Sequence, residues 1–314
     1  MQRLAVVALG GNALLLSGQK GTIDEQEHNA YEAGKSLVKL LRRKYNIVIT
    51  HGNGPQVGNI LLSDTAGSKL YGLPPMPLDI CVAYSQGFIG YILEQQLRNI
   101  LAANDMDRDI ITVITQVLVN KDDRAFQHPT KPIGPYYTKE EAEQLTKETG
   151  SVYSEDARGR GWRKVVASPR PLVINNKKSI EQLARSGQIV IAVGGGGIPA
   201  FYVKPNKLQG IDAVIDKDLA SALLARQIGA DKLFILTDVA KVCLHYHTPK
   251  EQTLDRMTIA EARQYLEEGH FAEGSMAPKI RAAVDFVENS GKDAIITRTD
   301  LLGIDNGGTR IVFV

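Results

Sequence analysis

Three glycine-rich turns and a small set of lysines are the residues of this sequence whose types and spacing suit chemistry. The turns are Gly10-Gly11-Asn12, His51-Gly52-Asn53-Gly54-Pro55 and Gly194-Gly195-Gly196-Gly197, each directly after an apolar run rich in Val, Ile or Leu. Glycine at such a place lets backbone N–H groups approach an anion closely, and a helix that follows adds its positive end. A single Gly pair is as readily a tight turn that needs a positive φ. Three of them at equivalent positions favour an anion site. None is a complete nucleotide fingerprint, since no Lys-Ser/Thr follows the Gly run and no GxGxxG opens a helix.

The lysines stand where a helix would not choose them. Val214-Ile215-Asp216-Lys217-Asp218-Leu219 puts Lys217 between two carboxylates at an expected helix start, and Gly274-Ser275-Met276-Ala277-Pro278-Lys279 puts Lys279 in the first turn of another. A cation there opposes the macrodipole by up to ~1 kcal/mol. One exposed lysine would mean nothing, but a repeated local conflict marks a functional site. Phosphoryl transfer between two anions needs positive charge spread along the line of transfer. A unit charge at ~4 Å is worth ~4 kcal/mol at an effective dielectric near 20, so a few placed lysines lower such a barrier without a covalent nucleophile. Other chemistries find less support. Ser85-Gln86-Gly87 is not a nucleophile elbow. His245 and His247 are spaced to share one face of a strand but lack the third ligand that zinc catalysis usually requires.

The elements that must position these residues read as strand then helix, repeated. Apolar runs at Leu4–Leu9, Ile47–Thr50, Ile110–Gln116, Ile189–Val193, Leu233–Thr237, Ala294–Thr297 and Arg310–Val314 suit parallel strands covered on both faces. Helical spacing marks Glu25–Lys44, Val82–Leu101, Asp218–Ile228 and Pro278–Val287. The pattern predicts an α/β fold with a mostly parallel sheet, whose ligands sit outside the C-terminal ends of its strands. Residues 120–170 break the alternation: they are rich in Pro, Gly, Lys and Asp and read as an inserted subdomain projecting from the sheet.

Composition narrows the classes. In 314 residues, 37 basic and 35 acidic side chains leave a net charge of +2, which gives no reason for a nucleic-acid or membrane-surface partner. No segment approaches the ~20 apolar residues that span a bilayer, and the run before Gly10-Gly11 is too short for a signal peptide. Two distant cysteines, Cys81 and Cys243, suit a reducing, cytoplasmic setting.

Longer motifs then make the chain recognisable. Leu9-Gly10-Gly11-Asn12-Ala13, Thr50-His51-Gly52-Asn53-Gly54-Pro55-Gln56-Val57-Gly58 and Tyr84-Ser85-Gln86-Gly87-Phe88 resemble the carbamate kinases of the amino-acid-kinase superfamily. So do Asn120-Lys121-Asp122-Asp123-Arg124, Pro129-Thr130-Lys131-Pro132-Ile133-Gly134-Pro135 and Gly159-Arg160-Gly161-Trp162-Arg163, and the likeness runs in order from residue 4 to the end. The first glycine motif belongs to the wider superfamily; the Thr-Lys-Pro and Gly-Arg-Gly-Trp-Arg segments point to the carbamate kinases.

That resemblance implies a three-layer αβα sandwich around a mainly parallel eight-stranded sheet with an inserted protruding subdomain, usually as a homodimer. It implies one amino-acid-kinase domain over residues 1–314. A lobe of residues 1–210, with the 120–170 lid, would bind carbamate or carbamoyl phosphate, and a lobe of residues 211–314 would bind ADP or ATP with Mg²⁺. By motif, Gly10, Gly11 and Asn12 contact the phosphoryl group, while Gly52, Asn53, Gly54, Gly195, Gly196 and Gly197 line the small-substrate site. Lys131 reaches carbamoyl phosphate from the lid. Lys217 and Lys279 act on the transferring and nucleotide phosphates, and Asp216 orients the lysines. Thr237, Asp238, Val239 and Met276 lie near the nucleotide, and no metal-ligating residue is implied. His245 departs from the Asn often found in the family, and the Leu301–Gly308 tail is shorter than usual. Acetylglutamate kinase, uridylate kinase and aspartokinase share the first glycine motif, but Thr130-Lys131-Pro132 argues against them. A silent paralogue acting as a metabolite sensor would not need Lys131, Lys217, Lys279 and Asp216.

Overall fold

The computed structural model describes residues 2–11, 14–16, 18–156 and 159–314. Along the chain lie β1 (Arg3–Leu9), α1 (Ile23–Arg42), β2 (Tyr45–His51), α2 (Gly54–Tyr71), α3 (Leu78–Ala102), β3 (Ile110–Thr112) and β4 (Gln116–Val119). Then come β5 (Lys131–Tyr137), α4 (Lys139–Thr149), β6 (Tyr153–Glu155), β7 (Trp162–Val166), β8 (Pro171–Ile174), α5 (Lys177–Arg185), β9 (Ile189–Ile191), β10 (Ile198–Lys204) and β11 (Lys207–Gly210). The remainder holds α6 (Lys217–Gln227), β12 (Lys232–Thr237), β13 (Val242–Leu244), β14 (Gln252–Leu254), β15 (Arg256–Thr258), α7 (Ile259–Glu267), α8 (Met276–Ser290), β16 (Ala294–Arg298) and β17 (Gly308–Val312).

An eight-stranded sheet in the order β15-β17-β16-β12-β1-β2-β9-β3 forms the middle layer. Its central strand β1 shows why there are three layers. Leu4, Val6 and Ala8 enter one core with residues of α6 and α8, such as Leu224 and Phe286; Ala5, Val7 and Leu9 enter another with Leu37 and Leu40 of α1 and Ile89 and Leu93 of α3. Alternate side chains of a strand point to opposite faces, so a strand apolar at every position must be covered twice. Local signals set the helix that follows: Thr22 accepts from the Glu25 N–H at 3.3 Å and the Glu25 carboxylate accepts from the Thr22 N–H at 2.9 Å. That reciprocal cap opens α1.

Seven expected strands are present with two corrections. Ile110–Gln116 divides, because β3 pairs with β9 in the main sheet while β4 joins a second sheet of order β11-β10-β4-β8. The last strand runs antiparallel to β16, whereas its apolar run reads as parallel. Near the sheet edge a hairpin-like return satisfies the same backbone groups as a crossover, and hydrophobicity does not distinguish them. Helix α2 goes unread for a different reason. Only Gln56, Val57 and Gly58 of it are buried, so no apolar stripe at helical period marks it.

Residues 120–170 hold more regular structure than their composition suggests. The chain leaves through β4 and returns through β8, which are antiparallel neighbours, so the excursion starts and ends at one place. Between them β5, β7 and β6 form a separate antiparallel sheet beside α4. Ile133 and Val166 of that sheet share a core with Val57 of α2 and Cys81 and Val82 of α3. The crossing of β5 over α2 is a backbone contact: a Cβ placed on Gly58 would lie 2.0 Å from the Cα of Gly134, itself at φ +72°. Cys81 and Cys243 are both free thiols.

Adding one methyl at Gly58 forces β5 away from α2, since backbone cannot rotate aside as a side chain can. Gly58→Ala is expected to cost about 1–3 kcal/mol of stability and to speed amide exchange across residues 131–137. Exchange at the wild-type rate would show that the contact does not hold the small sheet in place.

Candidate active site

The site is organised at the first turn of α6. Asp216 is its N-cap: Oδ1 accepts from the N–H groups of Asp218 at 2.9 Å and Leu219 at 3.2 Å. Its other oxygen, Oδ2, accepts from Lys131 Nζ at 2.6 Å, across 85 residues of chain. A single carboxylate thus starts the helix and holds the β5 lysine. Asp218 divides its oxygens in the same way between two cations, with Lys217 Nζ at 2.7 Å from Oδ1 and Lys279 Nζ at 2.9 Å from Oδ2.

All five groups converge, which corrects one expectation. Of the three lysines, Asp216 is hydrogen-bonded to Lys131 alone, and it acts on Lys217 and Lys279 only through its charge; their hydrogen bonds go to Asp218. Three ammonium groups against two carboxylates leave the cluster with one net positive charge. Burial pushes the Asp218 carboxyl up, but its two lysines outweigh burial and hold it well below the ordinary carboxylate range. Burial likewise raises Asp216, and Lys131 brings it below its usual value. Burial lowers the Lys217 ammonium even though Asp218 opposes it. For Lys279 burial is outweighed by Asp218, and its value is raised.

An open cavity of about 1410 Å³ lies over this cluster, lined by Gly10, Gly11, Lys131, Lys217, Thr237 and Lys279 among others. Asp216, Asp218 and Asp238 also face it. A second cavity of about 590 Å³ shares Thr237 and Asp238 and continues past Val239, His245, Phe271 and Met276. Of the expected nucleotide residues, Thr237 and Asp238 stand where the two meet, Lys217 and Lys279 line the first cavity, and Val239 and Met276 line the second. Gly10 is needed at its position because a Cβ there would lie 2.8 Å from the Leu236 carbonyl oxygen. Asn12 lies outside the described residues.

The other two glycine turns sit behind the lysines rather than in the lining of the open cavity. Gly52 packs against the Lys217 stem, where a Cβ would be 3.4 Å from Cδ. Gly195 makes room for the Asn53 side chain, Gly196 for the Ile215 carbonyl and Gly197 for Val117. Val193, which leads into this turn, has φ 53°, a strained value for a β-branched residue. It is held there with its N–H on Thr115 Oγ1 at 3.1 Å. Gly54 opens α2, facing Pro132 and Arg163 of the small sheet.

Several residues with roles here go unread in the sequence. Gln86 on α3 donates to the carbonyls of Gly194 at 2.9 Å and Thr115 at 3.2 Å, and accepts from the Thr115 N–H at 2.8 Å. Ser85 accepts from Asn53 Nδ2 at 2.9 Å. The Ser-Gln pair is no nucleophile, but it pins both glycine turns. Thr50 and Ser221 share a hydrogen bond of 2.5 Å that ties β2 to α6. His51 is buried with Nδ1 2.9 Å from the Gly52 carbonyl, so its neutral ring carries the proton on Nδ1. Burial, reinforced by the Lys217 charge, lowers His51 to about 4. Polar residues inside an apolar strand or helix are the signal that marks such supports. His245 and His247 do not share a strand face: β13 ends at Leu244 and both have positive φ. The His245 ring instead meets the His270 ring edge-on at 4.6 Å. Among the described residues no group of three or more His, Cys, Asp or Glu side chains could hold a metal ion.

The model of the amino acid kinase family matches residues 3–298 of this sequence. The chain belongs to the amino acid kinase family. Within that family, the carbamate kinase of Pyrococcus horikoshii is 49% identical over 300 residues, covering 96% of this chain and 95% of the relative. The carbamate kinase-like protein YahI of Escherichia coli is 46% identical over 303 residues, covering 96% and 95%. Among solved structures, carbamate kinase from Giardia lamblia bound to citric acid superposes with a TM-score of 0.94 at 42% identity, covering 100% of this chain and 99% of that one. The same enzyme bound to AMP-PNP gives 0.90 at 44%, again covering 100% and 99%. The resemblance read from the motifs, and the three-layer mainly parallel fold expected from it, are borne out.

Burial of a neutral His51 has a consequence for acid stability. Above pH 6.5 the ring is neutral in folded and unfolded chains alike. As pH falls from 6.5 toward about 4, the unfolded chain takes up a proton that the folded one refuses, and stability is lost. The loss assigned to this residue is about 3 kcal/mol. Denaturant titrations of wild type and His51→Gln across that window should show a shallower fall in the variant; equal slopes would refute the assignment.

Proposed function

We propose that this chain catalyses reversible phosphoryl transfer between carbamoyl phosphate and ADP, giving ATP and carbamate, which decomposes to ammonia and carbon dioxide. The observation that carries the reading is the buried cluster in which Lys131, Lys217 and Lys279 are drawn together by two aspartates under a cavity lined by backbone glycine. The carbamate kinase relatives in archaea and Giardia support the choice of acid. The Giardia enzyme bound to AMP-PNP supports a nucleotide as the other substrate. Relatives named only carbamate kinase-like are nearly as similar, so identity alone does not separate an active enzyme from a silent paralogue. The complete lysine set favours the active one.

Lys217 and Lys279 place their charge where negative charge is shared between the two phosphates in the transition state, and Asp218 keeps both ammonium groups in position. Asp216 holds Lys131 at the mouth of the cleft, and an arriving acyl phosphate competes for that ammonium. Residues 1–210 would bind the acid and residues 211–314 the nucleotide. Residues 120–170 would act as a lid that carries Lys131 and excludes water from a small, hydrolysable substrate. The donor set fits Mg²⁺ carried on nucleotide phosphates: Asp216 and Asp238 face the cavity, and among the described residues no group of three or more carboxylate, His or Cys side chains surrounds them. When bound, the ion would neutralise charge on the nucleotide phosphates.

No described helix is long and apolar enough to cross a membrane. A cytoplasmic setting accords with the two free thiols. A homodimer accords with the outer face of α2 and α3, where Leu62, Leu70, Tyr71, Ile80, Tyr84 and Tyr91 are exposed.

Purified protein should form ATP from ADP and carbamoyl phosphate with Mg²⁺, read by a coupled spectrophotometric assay. ATP from acetylglutamyl phosphate but not from carbamoyl phosphate would sink the assignment. Lys217→Ala and Lys279→Ala should lower kcat by about 10²-fold or more, while Lys131→Ala should raise KM for carbamoyl phosphate more than KM for ADP. Unchanged kcat in both of the first two variants would make those lysines structural.

For the oligomer, sedimentation of wild type at micromolar concentration should give a dimer, and Tyr84→Asp with Tyr91→Asp should give a monomer. A monomeric wild type would rule out this face as a self-association surface.

A further inference from the structure

Arg163 lies in the motif Gly159-Arg160-Gly161-Trp162-Arg163 and has no part in the cluster described so far. It sits on β7, two residues from Val165, and both line the main cavity. Its Nε donates to the Gly134 carbonyl at 2.9 Å, and its guanidinium carbon lies 5.2 Å from the centroid of the Tyr136 ring. One of its terminal nitrogens, Nη2, is buried and has no hydrogen-bond partner among the described residues. Neighbouring Arg160 is satisfied quite differently, by a two-pronged pair with Asp156 at 2.9 Å and 2.9 Å. Burial lowers the Arg163 pKa; Tyr136 and the Asp156 charge oppose that effect without cancelling it, and the Arg160 charge adds to it.

A buried, unpaired guanidinium nitrogen is costly to keep, so its surroundings bear on what it is for. Nη2 stands over the first turn of α2: a Cβ built on Gly54 would be 4.0 Å from it and 3.6 Å from the Pro132 carbonyl oxygen. That helix start is itself positive and lacks a side-chain cap, and the amide nitrogen of its N-cap residue Asn53 donates to Ser85. Two positive features meet beside the Thr130-Lys131-Pro132 edge of the same cavity, and among the described residues no carboxylate is hydrogen-bonded to Arg163, although the Asp156 charge acts on it. An anionic or strongly polar oxygen of a ligand satisfies both.

We propose that Arg163 is a substrate-binding residue, donating from Nη2 to the acyl or carboxylate oxygen of the small acid and holding that planar group at the Thr130-Lys131-Pro132 edge of the cavity. The lysine cluster then acts on the phosphoryl end and Arg163 on the acyl end. A guanidinium suits this task better than an ammonium, since its fixed planar fork keeps Nε on Gly134 while Nη2 meets the ligand. The proposal deepens the reaction proposed above and rests on it for the identity of the acid.

Calorimetric titration with phosphonoacetamide, an inert analogue of carbamoyl phosphate, tests it without turnover. Arg163→Met should bind the analogue at least tenfold more weakly than wild type and raise KM for carbamoyl phosphate by a similar factor, with KM for ADP within twofold. Arg163→Lys should recover only part of the loss. If Arg163→Met does not keep the wild-type melting temperature, Arg163→Lys and Arg163→Gln carry the comparison. Wild-type affinity for the analogue in the folded variants overturns the proposal, as does an equal rise in KM for both substrates, which would mean a packing role in the small sheet. Absence of analogue binding by wild type overturns it too. If wild type makes no ATP from carbamoyl phosphate yet Arg163→Met still loses the analogue, the reaction assignment fails and the role of Arg163 at an acyl-phosphate site stands.

Discussion

The first turn of α6 is where the rest of the molecule is brought to bear. Asp216 must cap the helix, and capping fixes where its second oxygen points; Lys131 is bound there. Asp218, one position further round, is then placed to hold Lys217 and Lys279. Each carboxylate is unfavourable to bury alone and each lysine at a helix start is unfavourable alone. Together they are compatible because every ammonium has an oxygen within hydrogen-bond distance. Removing one partner leaves a buried charge uncompensated, a loss of about 3–5 kcal/mol by comparison with other buried pairs.

The supports of that turn come from both directions. From the sheet, Thr50 binds Ser221, and Ser221 donates back to the Lys217 carbonyl at 2.5 Å, so β2 and α6 cannot shift independently. From α3, Ser85 and Gln86 hold Asn53 and Gly194, and these turns pack against Lys217 and Ile215. The glycines of the second and third turns are thus used for close approach of protein to protein. A side chain at Gly52 or Gly196 would push on the very segment that carries Lys217, and one at Gly195 would displace Asn53. Preorganised charge of this sort needs no rearrangement at the moment of reaction, which is the main advantage of a protein over water in stabilising a transferring phosphoryl group.

The small sheet of β5, β7 and β6 is bound to this centre by only a few contacts. It packs through Ile133 and Val166, through the backbone crossing of Gly58 and Gly134, and through the ion pair of Lys131 with Asp216. Two of these three are specific to one position of the sheet, and the ion pair is the one that an anionic ligand can exchange for itself. The segment is tethered at both ends to neighbouring strands, and its apolar side chains are buried against α2 and α3.

How much of this was legible in the sequence depended on whether the signal was local. The strands of the main sheet are written as apolar runs because each is covered on both faces, and helix starts are written in residues such as Thr22 and Glu25. The three glycine turns, and lysines set against the helix dipole at 217 and 279, were visible as conflicts with local preference, and the longer motifs named the family. Pairing was not visible. That Asp218 rather than Asp216 holds two lysines follows from where α8 packs, and that β17 runs antiparallel follows from how the chain returns to β16. The buried Nη2 of Arg163, the neutral ring of His51 and the tethering by Gln86 exist only once distant segments meet. The sequence by itself determined which residues carry charge and which turns lack side chains, since those are properties of single residues and their neighbours. Only the tertiary structure decided which oxygen faces which ammonium, because burial and hydrogen-bond geometry are set by chain segments far apart in sequence.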